Sequence, residues 1–473
     1  ATTEIYTLSL HDALPILFGI YSENPKYLAN TTYSALFGLQ HRGQEACGIA
    51  VADGKSIKFT RGLGLISDVF NSDSLKNLGK GIASIGHCRY STTGSDSEAN
   101  IQPIVCSIDD GMLAVAHNGN ITNAYELRKI LSKSGSIFYT TMDSEVIPHL
   151  LVRELNMGFS ISEAACRLMD FLKGSFSLVI MTHDTLIACR DQTGFRPLCM
   201  GKTADGYMFS SESCVIDNLG GEFIKDIKPG EVVTVNKDGV KFDESRVMRK
   251  PSICIFEHIY FARNDSVIDG VSVHEARVNA GKRLAITHPA DADIVIGVPD
   301  SGIGAAIGFS KQSGIPYEMG FVKNKYVGRS FIEPTDTERK SVLNVKLNPI
   351  VPVVKDKRVV LVDDSIVRGN TCKKIITLLR NAGVKEIHMR ISSPPFLYPC
   401  YFGTDIDSQE NLLACKYSID EICKLIGADS LGYLNVEDLA ELVKGGNCDY
   451  CHGCFTGQYP VDVKDASHKD IFE

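Results

Sequence analysis

Hydrophobic and polar positions alternate in two different rhythms along this chain. From Phe18 to about Val240, short β-like runs closed by glycine turns dominate, for example residues 84–86 and 113–116, and residues 45–50 read as a core strand. Amphipathic helices such as 162–172 interrupt them, and the pattern predicts an α+β layered domain. A polar stretch at 236–250, holding Lys237-Asp238-Gly239 and ending at Pro251, is the predicted domain junction. Beyond it the rhythm changes. Apolar runs are each followed by a loop and a helix, 293–298 into 304–309 and 358–362 into 372–380, which predicts a parallel sheet.

Length agrees with that division, since 473 residues exceed one ordinary core and suit two large domains. A formal net charge of −8 gives no bulk positive field to recruit nucleic acid, so a polyanionic substrate must meet local positive charge. No apolar run approaches the roughly 20 residues a membrane-spanning helix needs, and a cytoplasmic location is expected. Of the fifteen cysteines, Cys166, Cys189 and Cys214 sit singly in apolar runs and read as buried thiols, as do Cys372, Cys415 and Cys423.

The strongest chemical signal is Val359-Val360-Leu361-Val362-Asp363-Asp364-Ser365-Ile366-Val367-Arg368-Gly369-Asn370-Thr371, a buried strand that stops at two carboxylates and turns through a small polar loop into a helix. Loop N–H groups and the positive end of the helix suit a phosphate, Gly369 permits close approach, and Thr371 adds a hydroxyl donor. Asp363 and Asp364 fall where α/β sheets place ligands, within reach of ribose hydroxyls or a divalent ion. A bare Asp-Asp pair would be only an acidic turn; the whole string is similar to the phosphoribosyl pyrophosphate motif of type I phosphoribosyltransferases. That resemblance implies that Ser365, Arg368, Gly369, Asn370 and Thr371 bind the substrate together with the two aspartates.

Several further strings match N-terminal-nucleophile glutaminases in order and spacing: His41-Arg42-Gly43-Gln44-Glu45, Gly86-His87-Cys88-Arg89-Tyr90-Ser91-Thr92, His117-Asn118-Gly119-Asn120, Met142-Asp143-Ser144-Glu145 and Arg190-Asp191-Gln192-Thr193-Gly194-Phe195-Arg196. With the phosphoribosyl string, they make the chain resemble the amidophosphoribosyltransferase family over almost its whole length. The resemblance implies a class II glutamine amidotransferase domain at 18–245, an αββα sandwich, followed at 251–473 by a type I phosphoribosyltransferase domain with a parallel sheet. In the family's pattern Arg89 grips the carboxylate of glutamine, Asp143 its α-amino group, and Asn118 with the N–H of Gly119 forms the oxyanion hole. Ser301, in Gly297-Val298-Pro299-Asp300-Ser301-Gly302, joins Asp363 and Asp364 in holding magnesium, and residues 323–332, with Lys323 and Arg329, resemble the mobile loop that closes over departing pyrophosphate.

The family opens its mature chain with a nucleophilic cysteine. Here Pro15-Ile16-Leu17-Phe18-Gly19-Ile20 matches that segment, so Pro15 occupies the nucleophile position and the catalytic Cys is absent there. Residues 1–17 read as a leader foreign to the gene, an alternative to a naturally degenerate amidotransferase that uses free ammonia.

Near the end, Cys448-Asp449-Tyr450-Cys451-His452-Gly453-Cys454 places three thiols at a spacing that suits one metal or cluster. Zinc held by Cys448, Cys451, Cys454 and His452 is one reading. Similarity to the iron-sulfur branch of the family implies the other, a 4Fe-4S cluster on Cys254, Cys400, Cys451 and Cys454, structural rather than electron-transferring. The expected reaction joins ammonia, from glutamine or free, to phosphoribosyl pyrophosphate, giving 5-phosphoribosylamine and pyrophosphate as the first step of de novo purine synthesis. Family resemblance also implies a homotetramer inhibited by purine nucleotides. The competing readings are an ammonia-only transferase and a non-catalytic phosphoribosyl pyrophosphate sensor.

Overall fold

A computed structural model describes residues 15–90, 97–247, 251–324, 347–404, 406, 408–447 and 449–463. Strands β1 (Ile16–Lys26), β2 (Ala46–Ala52), β3 (Ile57–Leu63), β4 (Gly81–Arg89), β5 (Ile104–Ile108), β6 (Gly111–Ile121), β7 (Gly174–Met181), β8 (Leu186–Arg190), β9 (Cys199–Thr203), β10 (Gly206–Ser210), β11 (Glu222–Asp226), β12 (Val232–Asn236) and β13 (Gly239–Asp243) build two antiparallel sheets. One runs β11-β9-β10-β1-β4-β2-β3 and the other β13-β12-β8-β7-β6-β5.

Side chains of a strand alternate between faces, and β1 shows what that does here. Ile16, Phe18 and Ile20 face outward under helix α1 (Leu28–Leu39), whereas Leu17 and Tyr21 face the second sheet. The layer between the sheets is rich in alanine, with Ala50, Ala52, Ala83, Ala114, Ala116 and Ala188. Helices α2 (Val146–Asn156) and α3 (Ile161–Phe171) cover the outer face of the second sheet, completing an αββα sandwich. The start of α3 is fixed by a reciprocal cap between Ser160 and Glu163.

The polar stretch at 236–250, read as the domain junction, begins inside the sandwich. Its first half is β13, the sandwich's last strand, paired only with β12 at the sheet edge. An edge strand with one solvated face carries polar residues that mimic a linker. Of residues 1–17, Ile16 and Leu17 are wholly buried in β1, and residues 1–14 lie outside the described residues.

In the second half, β15 (Ile294–Gly297), β16 (Arg358–Asp363), β17 (Glu386–Ile391) and β18 (Ser430–Tyr433) form a parallel sheet in that order, between β14 (Ser252–Cys254) and β19 (Asp449–Cys451) in the sequence. Val295, Val360 and Val362 face helices α4 (Val273–Thr287) and α5 (Gly302–Ser313) on one side, and Ile294, Ile296, Val359 and Leu361 face helix α6 (Asn370–Asn381) on the other. Burial on both faces is why these strands read as continuous apolar runs. β14 and β19 pair in parallel away from this sheet, with Cys254 opposite Cys451.

Candidate active sites

The ends of β4 and β6 carry Arg89, Asn118 and Gly119, the candidate glutamine-site residues of the sandwich, with Asp143 beside them. Arg89 is the last residue of β4 and is buried. Two residues earlier, His87 donates through Nε2 to the His117 carbonyl (3.0 Å), which fastens β4 to β6 just ahead of Asn118. Asp143 accepts the Ile121 N–H (2.7 Å) and the Ser144 hydroxyl (3.1 Å), so it closes the same end of β6. Asn118 is wholly buried, and neither end of its amide has a hydrogen-bond partner among the described residues. Such groups are rare because an unpaired buried amide is costly, and a bound polar atom would satisfy it. Gly119 follows at φ +146, where a Cβ would stand 2.1 Å from the Ser175 carbonyl oxygen. No side chain fits there.

Pro15 is buried and immediately precedes Ile16, which pairs with Cys88; the antiparallel register therefore runs Pro15 towards Arg89. Burial, opposed by the bond to the His117 carbonyl, holds the His87 imidazole down to about 3, and burial lowers His117 as well. Both rings are neutral structural posts at ordinary pH. Gln102, which no motif singled out, accepts the His117 N–H (2.7 Å).

At the carboxyl ends of β15 and β16, the second site is a chain of contacts. The Ser301 hydroxyl donates to Asp364, the Ser365 hydroxyl donates to the other Asp364 oxygen (2.5 Å), and the Asp364 N–H donates to Asp363 (2.9 Å). Burial, and then the neighbouring Asp364, push the Asp363 carboxyl well above the usual carboxylate range. Two buried carboxylates side by side favour a bound cation or a shared proton. Gly369 at φ +78 leads into α6, whose first turn holds Asn370 and Thr371; Arg368 Nε has no hydrogen-bond partner among the described residues. Lys323 forms an exposed ion pair with Asp300 (2.8 Å), next to Ser301. Arg329 lies outside the described residues, as does the basic loop from 325 onward.

Cys254, Cys400, Cys451 and Cys454, from three distant segments, line one cavity whose other walls include Phe195, Phe256, Phe396 and Phe402. All four are free thiols. Among the described residues no group of three or more His, Cys, Asp or Glu closes on a single metal ion. Thiols spread around a cavity suit a polynuclear cluster better than one ion. His452 instead contacts Thr456 Oγ1 through Nδ1 (3.0 Å), and Cys448 lies outside the described residues. Cys166, Cys189, Cys214 and Cys372 are buried as expected, but Cys415 is exposed and Cys423 half-buried.

A clamp that motif reading missed joins the two halves of the chain. Glu257, wholly buried on a π-helical turn (Glu257–Phe261), gives one carboxylate oxygen to Arg42 (2.6 Å) and the other to Arg196 (3.1 Å). Arg42 is also paired with Glu212. Arg277 of α4 holds the π-helical turn by donating to the carbonyls of His258, Tyr260 and Ala262. Glu257 and Arg42 lie far apart in sequence, so no local spacing could have announced the pair.

A sandwich with a donor pair on a strand end, joined to a parallel sheet ending in an acidic phosphate-type loop, defines a glutamine amidotransferase fused to a phosphoribosyltransferase. Family models agree: a glutamine amidotransferase domain matches residues 87–218 and a phosphoribosyl transferase domain matches 272–392. The amidophosphoribosyltransferase of Methanocaldococcus jannaschii is 46% identical over 94% of this chain and 98% of its own length, and that of Archaeoglobus fulgidus is 47% identical over 94% and 97%. A solved glutamine phosphoribosylpyrophosphate amidotransferase from B. subtilis, complexed with ADP and GMP, superimposes with a TM-score of 0.88 at 42% identity, covering 96% of this chain and 99% of that one. The chain belongs to the amidophosphoribosyltransferase family. It is a pentosyltransferase, and among the described residues no helix is long and apolar enough to cross a membrane.

Proposed function

We propose that the chain transfers the phosphoribosyl group of phosphoribosyl pyrophosphate to ammonia, drawn from glutamine or free, and releases pyrophosphate and 5-phosphoribosylamine as the first step of de novo purine synthesis. The Ser301–Asp364–Asp363 chain at the sheet's carboxyl end, with both carboxylates buried, carries this reading. In it, the loop 365–371 cradles the 5-phosphate with backbone N–H groups and the Ser365 and Thr371 hydroxyls, with Arg368, Gly369 and Asn370 completing the cradle. Asp363 and Asp364 orient the ribose, and Lys323 and Arg329 meet the leaving pyrophosphate. Hard oxygen donors at Ser301, Asp363 and Asp364, two of them carboxyls crowded enough to favour a cation, fit magnesium, which would neutralise charge as pyrophosphate leaves.

In the glutamine half, Arg89 takes the α-carboxylate, Asp143 the α-amino group, and Asn118 with the Gly119 N–H the amide oxygen. The unpaired Asn118 amide supports that assignment. Pro15 offers no thiol where the family has its nucleophile. Four thiols around an apolar cavity fit a 4Fe-4S cluster, which would supply a structural crosslink between distant segments. A cytoplasmic homotetramer under purine-nucleotide inhibition, with the glutamine half at 18–245 and the transferase half at 251–473, completes the reading. Relatives named as the enzyme over almost their full length do not favour an ammonia-only enzyme or a non-catalytic sensor.

The test is pyrophosphate release from phosphoribosyl pyrophosphate and magnesium with ammonium or with glutamine. Release with ammonium is expected; its absence, despite substrate binding, would sink the transferase reading. Release with glutamine would place the nucleophile somewhere other than position 15. A chain without residues 1–14 and with Pro15→Cys is expected to use glutamine.

A further inference from the structure

The turn from Tyr401 to Thr404 stands between two features that nothing in the sequence connects. On one side it belongs to the cysteine-lined cavity: Phe402 stacks on Phe195 with ring centroids 4.0 Å apart, and its N–H donates to Cys400 Sγ (3.4 Å). On the other side it grips the strand pair that carries Asn118 and Gly119. Asn120 Nδ2 donates to the Tyr401 carbonyl (2.8 Å), and Ser175 Oγ donates to the Phe402 carbonyl (2.8 Å) while accepting the Asn120 N–H (3.0 Å). Arg196, fully buried, donates to the same Phe402 carbonyl (2.6 Å).

The closest approach is at Gly403. Its φ is +102, and a Cβ there would lie 3.4 Å from both the carbonyl carbon and oxygen of Gly119 and 3.2 Å from Arg196 Nη2. The turn therefore lies directly against the peptide that follows the candidate oxyanion donor. A preformed donor is effective only while its direction is fixed before substrate arrives, and shifts below an ångström matter.

We propose that the 401–404 turn is a positioning element of the glutamine site, holding the Asn118–Gly119 strand from behind and making its aim depend on the state of the cysteine-lined cavity. The inference rests on the reading of Asn118 and Gly119 as the groups that receive the glutamine amide oxygen. Release of the turn from Cys400 loosens the glutamine site first, because the turn's hydrogen bonds run to Asn120, Ser175 and Arg196 beside Asn118 and Gly119.

The experiment is calorimetric titration of L-glutamine into the full chain with its cluster in place and phosphoribosyl pyrophosphate present, for the parent, Ser175→Ala and Gly403→Ala. Loss of the Ser175 hydrogen bond is expected to weaken glutamine binding about fivefold, and Gly403→Ala more. Ammonium-dependent kcat and the KM for phosphoribosyl pyrophosphate stay unchanged. Gly314→Ala, also at positive φ (+79) but with nothing within 4 Å of its Cβ, controls for general loss of stability and leaves glutamine affinity intact. Unchanged glutamine affinity in Ser175→Ala overturns the proposal, as does an equal fall in glutamine affinity and ammonium turnover, which marks a merely structural turn. A parent that binds no glutamine removes the glutamine-site reading and the proposal with it. If Gly403→Ala does not fold, Ser175→Ala decides.

Discussion

The two candidate sites are built in opposite ways. The phosphoribosyl site is largely one continuous stretch at a strand end, Asp363 to Thr371, with Ser301 brought in by the neighbouring strand. The glutamine site has no such stretch: Arg89, Asn118 and Asp143 come from separate elements and are aligned by His87, His117 and Ile121. A contiguous site tolerates movement between elements, because its donors travel together. A dispersed one depends on everything that fixes the strands, including the turn at 401–404 and the Glu257 clamp.

The comparison can be broken most sharply at Asp364. Asp364→Asn is expected to lower ammonium-dependent pyrophosphate release by about 100-fold or more while leaving glutamine binding intact, since it removes a carboxylate that orients the ribose and would help hold magnesium. Steady-state rates and glutamine titrations on one preparation check it; equal loss in both would mean that the sites are not separable.

Glu257 tests the join between the halves. Its carboxylate is wholly buried between Arg42 and Arg196. Glu257→Ala strands two buried guanidiniums, although Arg42 retains Glu212, and is expected to cost roughly 3–5 kcal/mol in a denaturant titration. A cost below 1 kcal/mol would remove the clamp from the account.

The cysteine cavity distinguishes thiols that sequence spacing groups together. Cys400→Ser or Cys451→Ser is expected to lower bound iron and accelerate its release to a chelator, whereas Cys415→Ser and Cys448→Ser keep the parent's iron content. Iron lost from Cys448→Ser but retained in Cys400→Ser would point back to the tail alone.

The smallest effect is in pH. Burial holds His87 down to about 3 and His258 to about 4, against 6.5 for the free side chain. Their folded values lie below the unfolded one, so their stabilisation is fully present above about 6.5 and is lost as pH falls below it, because the unfolded chain takes protons first. Each contributes a slope of up to roughly 1.4 kcal/mol per pH unit. His87→Gln is expected to flatten the fall in denaturation midpoint between about pH 7 and 5, and an unchanged slope would rule out His87 as a source.

Glycine, proline and period-two alternation made the sandwich legible, and unbroken apolar runs before helices made the parallel sheet legible. Where the reading slipped, burial was the reason: Cys415 closes an apolar run whose Leu412 is buried in the core, but the cysteine itself is exposed. The sequence by itself determined the order of the chemical strings, the acidic phosphate loop and the proline at position 15. Only the tertiary structure decided that Cys254, Cys400, Cys451 and Cys454 meet while His452 turns to Thr456, and that Glu257 joins Arg42 to Arg196. Local patterns report on neighbours within a few residues, whereas the cysteine cavity and the Glu257 clamp join segments tens to hundreds of positions apart, which chain packing alone brings together.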